Sequence, residues 1–344
     1  MNATPADFRS WLTGSLQLLC AQETTSGRED AGLAELRTLL LGLGAMLVEQ
    51  PVAEGRTNVL ALWGRPRVLF STHLDTVPPY LPPRLEGEVF LGRGTCDAKG
   101  QIVAQLGAVK TLLAEGREGL AWLGVVGEET DSAGAAAALA LADHLRELRV
   151  LINGEPTGLK LATGQRGAQH LCLRCAGRAA HSGSPELGHD ATWPLLDWLQ
   201  CLREQPRPVD PALGPEVWNL GLLRAGEALN SVPASAEARL MARTLPGSTF
   251  AEEARRLAPP EGSVALTLDE APDRYPDIPG FEHAAMPFGS DAPTLRALVP
   301  DRTVVLAGPG SIRVAHTLEE HLTLAELEAG VELNRRLALH FLGD

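Results

Sequence analysis

The sequence has no apolar run of about 20 residues, the length needed to cross a bilayer. Its N-terminus, MNATPADFRSWLTGSLQLLC, has no basic start followed by a continuous apolar core, so it predicts no signal peptide. Basic residues are scarce: 30 Lys and Arg against 43 Asp and Glu give a net charge of −13. This balance argues against binding to nucleic acid or to an anionic membrane surface. We therefore predict a cytoplasmic enzyme with no nucleic-acid or membrane partner.

Paired cysteines are also missing. The chain has five cysteines, an odd number that favours reduced thiols over a disulfide framework. Cys172 and Cys175 have C-x-x-C spacing, but they lie in a strand-like stretch, where residues three apart point to opposite faces. No second C-x-x-C is present to complete a four-thiolate zinc site. We interpret both as small buried or edge residues.

Strand and helix patterns alternate over the first half of the chain. The short apolar stretches are TNVLALWG, RVLFSTH, LAWLGVVG and LRVLING, and helix-length patterns such as 98–114 stand between them. This alternation predicts an α/β sheet with helices on both faces. After Gly164 the predicted order becomes β-α-β-β-α-β, which is typical of a ferredoxin-like module.

The length of 344 residues favours two domains. The chain returns to an apolar strand, RTVVLAG, after the ferredoxin-like pattern and ends in a helix. We therefore predict a catalytic α/β domain with a central mixed sheet, residues 1–166 and 271–344. An α+β domain, residues 167–270, would be inserted into it.

Polar residues follow several of the apolar strands. His73 and Asp75 come directly after RVLFST, and residues two apart in an extended chain share a face. A carboxylate there suits the second N–H of a metal-binding imidazole; the alternative is a polar strand end with a surface histidine. Asp97, in GRGTCDAKGQ, either caps the helix that follows or bridges two metal ions. The phosphate-loop pattern G-x-x-x-x-G-K-[ST] is absent.

Two glutamates, Glu128 and Glu129, stand side by side after LAWLGVVG. Adjacent acids at the end of a buried strand are costly unless cations neutralise them. If Glu129 binds a metal, Glu128 can face a water that the metal activates and accept its proton near neutral pH. The alternative is that both point to solvent, and for an isolated pair that alternative would be favoured.

Glu155 in NGEPTG and His316 in AGPGSIRVAHTLEEH also follow apolar strands. Open α/β sheets assemble their ligand sites at such strand ends. The complete candidate set mixes imidazoles and carboxylates: His73, Asp97, Glu129, Glu155 and His316. Such a set suits two zinc ions about 3.5–4 Å apart. Each residue has an ordinary alternative role, but their coincidence predicts a dinuclear zinc site.

These motifs together resemble the dinuclear zinc aminoacylases and carboxypeptidases, which include acetylornithine deacetylase, succinyl-diaminopimelate desuccinylase and glutamate carboxypeptidase. The matching motifs run in family order from residue 71 to 321: STHLDTVP, GRGTCDAKG, GEET, GEPTG, GRAAHSGSPELGHDA, NSVPASAEARLMAR and GPGSIRVAHTLEEH. The resemblance implies a zinc-exopeptidase-like catalytic domain with a ferredoxin-like lid domain. It also implies two zinc ions per subunit, with cobalt as an alternative, and a homodimer formed through the lid.

The resemblance further assigns roles within the first predicted domain. The ligands would be His73 and Glu155 on one zinc, Glu129 and His316 on the other, and Asp97 between them. Asp75 would orient His73. Glu128 would be the general base and then the acid that protonates the leaving amine.

Matching positions also occur in the inserted domain. His181, in GRAAHSG, matches a histidine that family members direct at the developing oxyanion, often across a dimer interface. Asn230 and Arg243 match residues that bind substrate. Arg243 could hold an α-carboxylate through a bidentate pair. Relatives usually have an acid two residues before this arginine, where this chain has Met241.

GEPTG and GPGSIRVAHTLEEH most resemble acetylornithine deacetylase and its near relatives. This implies deacylation of a small-molecule N-acyl-L-amino acid in arginine or lysine biosynthesis. N2-acetylornithine is the first substrate to expect, followed by acetylcitrulline and acetyllysine. A zinc dipeptidase or carboxypeptidase with the same metal core is the alternative. A non-catalytic binding protein is a further one, which the retention of Glu128 with all five ligands disfavours.

Overall fold

The computed structural model describes residues 4–301 and 303–343. Its helices are, in chain order, α1 (Pro5–Cys20), α2 (Leu33–Gly42), α3 (Lys99–Ala114), α4 (Ala133–Ala138), α5 (Thr192–Glu204), α6 (Phe250–Arg256), α7 (Ala292–Leu295) and α8 (Leu324–Leu342). Short 3-10 helices lie at Glu29–Gly32, Leu139–His144, Pro185–Leu187 and Arg296–Leu298. Within the described ranges, no helix combines the length and the apolar character that a membrane span requires.

The strands are, in chain order, β1 (Met46–Ala53), β2 (Arg56–Trp63), β3 (Val68–His73), β4 (Arg84–Glu86), β5 (Val89–Leu91), β6 (Leu120–Val125), β7 (Val150–Asn153), β8 (Leu161–Gln165), β9 (Gly167–Ala176), β10 (Val209–Asp210), β11 (Gly214–Pro215), β12 (Val217–Ala225), β13 (Ser235–Thr244), β14 (Gly262–Glu270), β15 (Asp273–Arg274), β16 (His283–Met286), β17 (Val304–Leu306) and β18 (His321–Thr323). The described residues form two compact units. The first lies within Met1–Thr163, Tyr275–Ala284 and Ser290–Asp344. The second is Gly164–Arg274 with Ala285–Gly289. The extent of the inserted domain, 167–270, as a part that folds independently stays a prediction.

The first unit is built on a six-stranded sheet with the order β1-β2-β6-β3-β7-β17. The pairs β1–β2 and β2–β6 are antiparallel, and the remaining pairs are parallel. Every residue of β3, β6, β7 and β17 is buried, as expected where helices cover both faces of a sheet. The predicted α/β fold with a central mixed sheet is therefore confirmed.

Side chains that alternate along β3 belong to different packing layers. Val68 and Phe70 lie in one apolar cluster with residues of α1, α3 and α8, such as Leu12. Leu69 between them is equally buried but lies outside that cluster. Helix α4 packs against β1, β2 and β6. Because the middle of each strand lies between apolar layers, polar side chains collect where the strands end.

The second unit contains the antiparallel sheet β12-β13-β9-β14. The chain runs through it as β9-α5-β12-β13-α6-β14, with the short β10–β11 hairpin between α5 and β12. This is the predicted β-α-β-β-α-β arrangement. Trp198 of α5 and Phe250 of α6 pack with Leu171 and Leu173 on one face of the sheet. Cys175 belongs to this core and the buried Cys172 does not, as the prediction for the two cysteines required.

The sequence patterns missed strand β1 and the small β18-β5-β4 sheet. Strand β1 alternates between exposed and partly exposed residues, so it has no apolar run to mark it. It also contains Pro51, where the pairing with β2 changes register. A proline is tolerated there because β1 is an edge strand.

Candidate metal and catalytic site

His73 ends strand β3 and is buried. Its Nε2 atom lies 2.9 Å from Asp97 Oδ1. Its Nδ1 atom lies 3.0 Å from the backbone oxygen of Asp75 and 3.5 Å from the Asp75 carboxylate. Because both ring nitrogens have oxygen neighbours, the orientation of this imidazole is fixed.

Three predicted ligands form a compact group. His73, Asp97 and Glu129 each offer a ligand atom, and these atoms lie within 4.8 Å of one another. His316 approaches the same group: its Nε2 atom is 2.8 Å from Glu129 Oε1 and 3.3 Å from Asp97 Oδ2. The His316 side chain is 48% exposed, whereas that of Glu129 is only 8% exposed. The group is thus open to solvent on the His316 side.

Glu155 and Glu128 lie outside this group but interact electrostatically with its members. Glu155 follows β7 and is 4% exposed. Burial, and then the negative charges of Asp97 and Glu129, raise the pKa of Glu155 well above its ordinary value. Burial likewise raises the pKa of Glu128, reinforced by Glu155 and Glu129. Burial and the neighbouring carboxylates, Asp291 among them, therefore oppose the ionisation of Glu128 and Glu155.

The pKa values of the two histidines are also raised, which for an imidazole favours the charged form. Hydrogen bonds with Asp97 and Glu129 raise the pKa of His316 to about 10. Burial lowers the pKa of His73, but hydrogen bonds with Asp75 and Asp97 outweigh it and hold that pKa well above its usual range. The surplus of carboxylate charge attracts positive charge. Imidazole nitrogens and carboxylate oxygens at this spacing are the donor set that zinc takes, so the residues fit a divalent cation.

Asp75 also contacts the loop after β6. Its carboxylate accepts the backbone N–H groups of Gly127 at 3.1 Å, of Glu128 at 3.2 Å and of Glu129 at 3.2 Å. It also accepts the Ser26 hydroxyl at 2.7 Å. One buried carboxylate thereby holds the loop that carries both adjacent glutamates.

An ion pair supports the same loop from the other side. The Arg56 guanidinium donates to both carboxylate oxygens of Asp131, at 3.0 Å each, and to Glu29 at 3.1 Å. The Arg56 side chain is largely buried, and a bidentate guanidinium pair fixes orientation as well as distance. The loop containing Glu128 is therefore held at both ends.

Glu320 and Arg93 are buried site residues that the sequence patterns did not identify. The Glu320 carboxylate contacts the backbone of the loop that presents Asp97 and forms an ion pair with Arg93. The feature that could have identified Glu320 is its position four residues after His316, in the same sequence motif. No spacing rule linked it to a loop more than 220 residues earlier.

The three predicted substrate residues of the second unit lie at exposed or partly exposed positions. His181 pairs with Ser231 in an isolated bridge, and the Ser182 N–H donates to the Asn230 backbone oxygen at 3.0 Å. His181 and Asn230 therefore lie on adjacent loops. Arg243 lies on β13, opposite Ala168 of β9. Their roles at a substrate stay predictions.

Comparison with known sequences gives one family. The model of Peptidase family M20/M25/M40 matches residues 69–340. A Peptidase M20 domain-containing protein of Schizosaccharomyces pombe is 36% identical over 297 residues, which cover 83% of this chain and 72% of that protein. A protein of Aspergillus terreus named "probable carboxypeptidase" is 34% identical over 337 residues, 85% of this chain and 77% of that one.

Solved structures show the same fold at lower identity. A tripeptidase from Staphylococcus aureus superposes with a TM-score of 0.78 at 18% identity, covering 96% of this chain and 98% of that one. A dinuclear metal-binding peptidase of the M20 family from Bacillus subtilis gives 0.70 at 15% identity, covering 97% and 99%. At these identities the likeness establishes the fold.

Proposed function

Because the chain belongs to Peptidase family M20/M25/M40, we propose that it is a metal-dependent exopeptidase that hydrolyses the amide bond preceding a free C-terminal amino acid. The observation that carries this proposal is that ligand atoms of His73, Asp97 and Glu129 lie within 4.8 Å of one another. Beside Glu129 in sequence is Glu128, whose pKa is raised by burial and nearby carboxylates. A binding protein without hydrolytic activity has no need for a proton carrier beside a metal-ligand group.

Two divalent cations are part of the proposal, with zinc as the first candidate. The proposed ligands are His73, Asp97, Glu129, Glu155 and His316. Bound there, the cations would activate water and polarise the substrate carbonyl. The mixed imidazole and carboxylate donors support zinc over magnesium or calcium, which prefer oxygen ligands alone.

Glu128 is the proposed proton carrier. Its neighbour in sequence, Glu129, lies in the ligand group, and the pKa of Glu128 is affected by His73 and Glu129 of that group. These interactions support a place beside the attacking water for Glu128. Burial and nearby carboxylates raise its pKa, which suits a group that must both take and return a proton near neutral pH. Glu128 would remove a proton from the attacking water and deliver it to the leaving nitrogen.

A carboxypeptidase activity is favoured over deacylation of N2-acetylornithine by the names of related proteins. Relatives at 34% identity from Aspergillus clavatus and Aspergillus terreus are named probable carboxypeptidases. Both activities release an amino acid with a free α-carboxylate, and Arg243 is the proposed partner of that group. The two kinds of substrate differ in the acyl group attached to that amino acid, which is a peptide for a carboxypeptidase and an acetyl group for a deacetylase.

A homodimer formed through the second unit is also proposed. Strand β12 has one hydrogen-bonded neighbour, β13, among the residues that the structure describes. It exposes Leu220, Leu222 and Leu223 to solvent. An exposed apolar edge strand is a template for pairing with another chain.

The test is a substrate panel on purified protein stripped of metal and reloaded with zinc. The panel compares dipeptides and tripeptides that have a free C-terminus with N-acetylornithine, N-acetylcitrulline and N-acetyllysine. The release of free amino acid from each compound is measured. We expect zinc-dependent release that is fastest from peptides. Faster release from N-acetylornithine would replace the peptidase proposal with deacylation. No release from any compound by zinc-loaded protein would contradict both.

A further inference from the structure

Glu320 is 1% exposed and accepts four hydrogen bonds. Its Oε1 atom accepts the backbone N–H groups of Gly94 at 3.0 Å, of Cys96 at 3.1 Å and of Asp97 at 3.0 Å. Its Oε2 atom accepts from Arg93 Nη1 at 2.6 Å. The backbone of the Asp97 loop is therefore wrapped around one buried carboxylate.

The segment that carries Glu320 also carries His316. His316 Nε2 lies 3.3 Å from Asp97 Oδ2, on the other side of the same aspartate. A second buried side chain joins the two segments, because Gln101 Nε2 donates to the backbone oxygens of Cys96 at 2.9 Å and Pro309 at 2.8 Å. The segment 309–320 is thus joined to the loop 92–98 in two ways. The Glu320 carboxylate accepts N–H groups of the loop, and Gln101 donates to one backbone carbonyl of each.

We propose that Glu320 is a positioning residue that fixes Asp97 relative to His316 and thereby sets the affinity of the site for its cations. The inference rests on the proposed function in one respect, since it takes Asp97 and His316 as metal ligands. Glu320 would not touch metal or substrate. It would act through the Asp97 loop, as hydrogen-bond partners behind metal ligands generally do.

A carboxylate is required in this position for a physical reason. Three N–H donors converge on one oxygen, and a guanidinium donates to the other, so every contact places a donor against negative charge. Glutamine would keep one acceptor oxygen but would direct its NH₂ group at the N–H groups of Arg93. The Asp97 loop would then relax away from the segment that carries His316.

The experiment compares Glu320→Gln with Glu319→Gln, which removes the same charge from the neighbouring exposed residue. Metal-free protein is titrated with Zn²⁺ against a chromophoric chelator. Glu320→Gln should weaken zinc binding by about 10- to 100-fold, the usual effect of losing such a partner. Glu319→Gln should bind like wild type. Equal zinc affinity of Glu320→Gln and wild type would overturn the proposal.

Two further variants separate positioning from general destabilisation. Arg93→Lys keeps the positive charge but loses the guanidinium geometry, and it should weaken zinc binding in the same direction by a smaller factor. Leu12→Ala creates a cavity in the apolar core of the first unit and should lower the melting temperature while leaving zinc affinity unchanged. If Leu12→Ala weakens zinc binding as much as Glu320→Gln, the effect is one of stability and the positioning role is wrong.

Failure of this inference is distinguishable from failure of the proposed function. Zinc binding with no hydrolysis of any panel compound would contradict the proposed function, and the affinity comparison would still decide the role of Glu320. A wild-type protein that binds no zinc or cobalt would overturn both.

Discussion

The six-stranded sheet of the first unit and the four-stranded sheet of the second differ in how their residues are buried along each strand. Strands β3 and β6 are buried along their whole length, so a polar residue belongs where the strand ends. Strands β13 and β14 alternate between more and less buried positions, so polar residues occur throughout them. A polar residue is therefore informative in the first sheet and ordinary in the second.

Removing the proposed proton carrier at the end of the buried sheet should have the largest effect. Glu128→Gln is expected to lower kcat by about 10² to 10⁴, the usual contribution of a positioned acid or base. Zinc content should stay at the wild-type level, because Glu128 is not a proposed ligand. Steady-state kinetics and metal analysis of the same preparation provide the measurement. Loss of zinc in this variant would contradict the division of roles between Glu128 and Glu129.

Matched truncations in the two sheets test the comparison itself. Phe70 of β3 is 0% exposed and Leu222 of β12 is 49% exposed. Phe70→Ala should lower the free energy of unfolding by about 3–5 kcal/mol, because it leaves a cavity between packed layers. Leu222→Ala should change it by no more than about 0.5 kcal/mol, as is usual at the surface. Denaturant unfolding measures both losses in a Leu223→Lys background, where the charge on β12 removes the proposed dimer contact. Similar losses would remove the distinction between the sheets.

The proposed oxyanion role of His181 is the next test. His181→Ala should lower kcat by about 10² to 10³, the range for loss of one oxyanion donor. Its zinc content should not change, because the residue lies in the second unit. His189→Ala, which removes another exposed histidine nearby in sequence, is the control and should keep wild-type turnover. Equal rates for both variants would remove the assignment of His181.

The smallest effect on catalysis is expected at the exposed edge of the second sheet. Leu223→Lys places a charge on β12 and should convert the proposed dimer to a monomer, since charged side chains block edge pairing. Sedimentation velocity on wild type and variant measures this change. Wild-type protein that sediments as a monomer would contradict the dimer, and a dimeric variant would place the interface elsewhere.

The sequence was most predictive where burial leaves a periodic trace. The apolar runs of β3, β6 and β7 were visible. His73 ends the first of these strands, and Glu128 and Glu155 lie in the loops that follow the other two. Asp97 and His316 lie in glycine-containing loops without a periodic pattern, and they entered the candidate set through their residue types and their positions between predicted elements. The family resemblance then assigned each of them to a zinc ion. The fold class followed from the same alternation of strands and helices.

Contacts between distant segments left no such trace. Glu320 contacts a loop more than 220 residues earlier, and Arg56 meets Asp131 across 75 residues. The sequence predicted that Asp75 orients His73. It did not predict the three hydrogen bonds that Asp75 accepts from the 127–129 backbone, because these depend on how β3 and β6 are paired. Such partners become visible only when the sheet order is known.

The Asp75 carboxylate connects the end of β3 to the loop after β6 through hydrogen bonds, so the two segments are held in a fixed relative position. We therefore expect a substitution that shifts the 127–129 loop also to shift His73, so that the proposed base and the proposed metal ligand change together. Redesign of substrate preference should begin instead among the exposed loops around His181 and Asn230. Those loops belong to the second unit, whereas Asp75 and the proposed hydrolytic groups belong to the first.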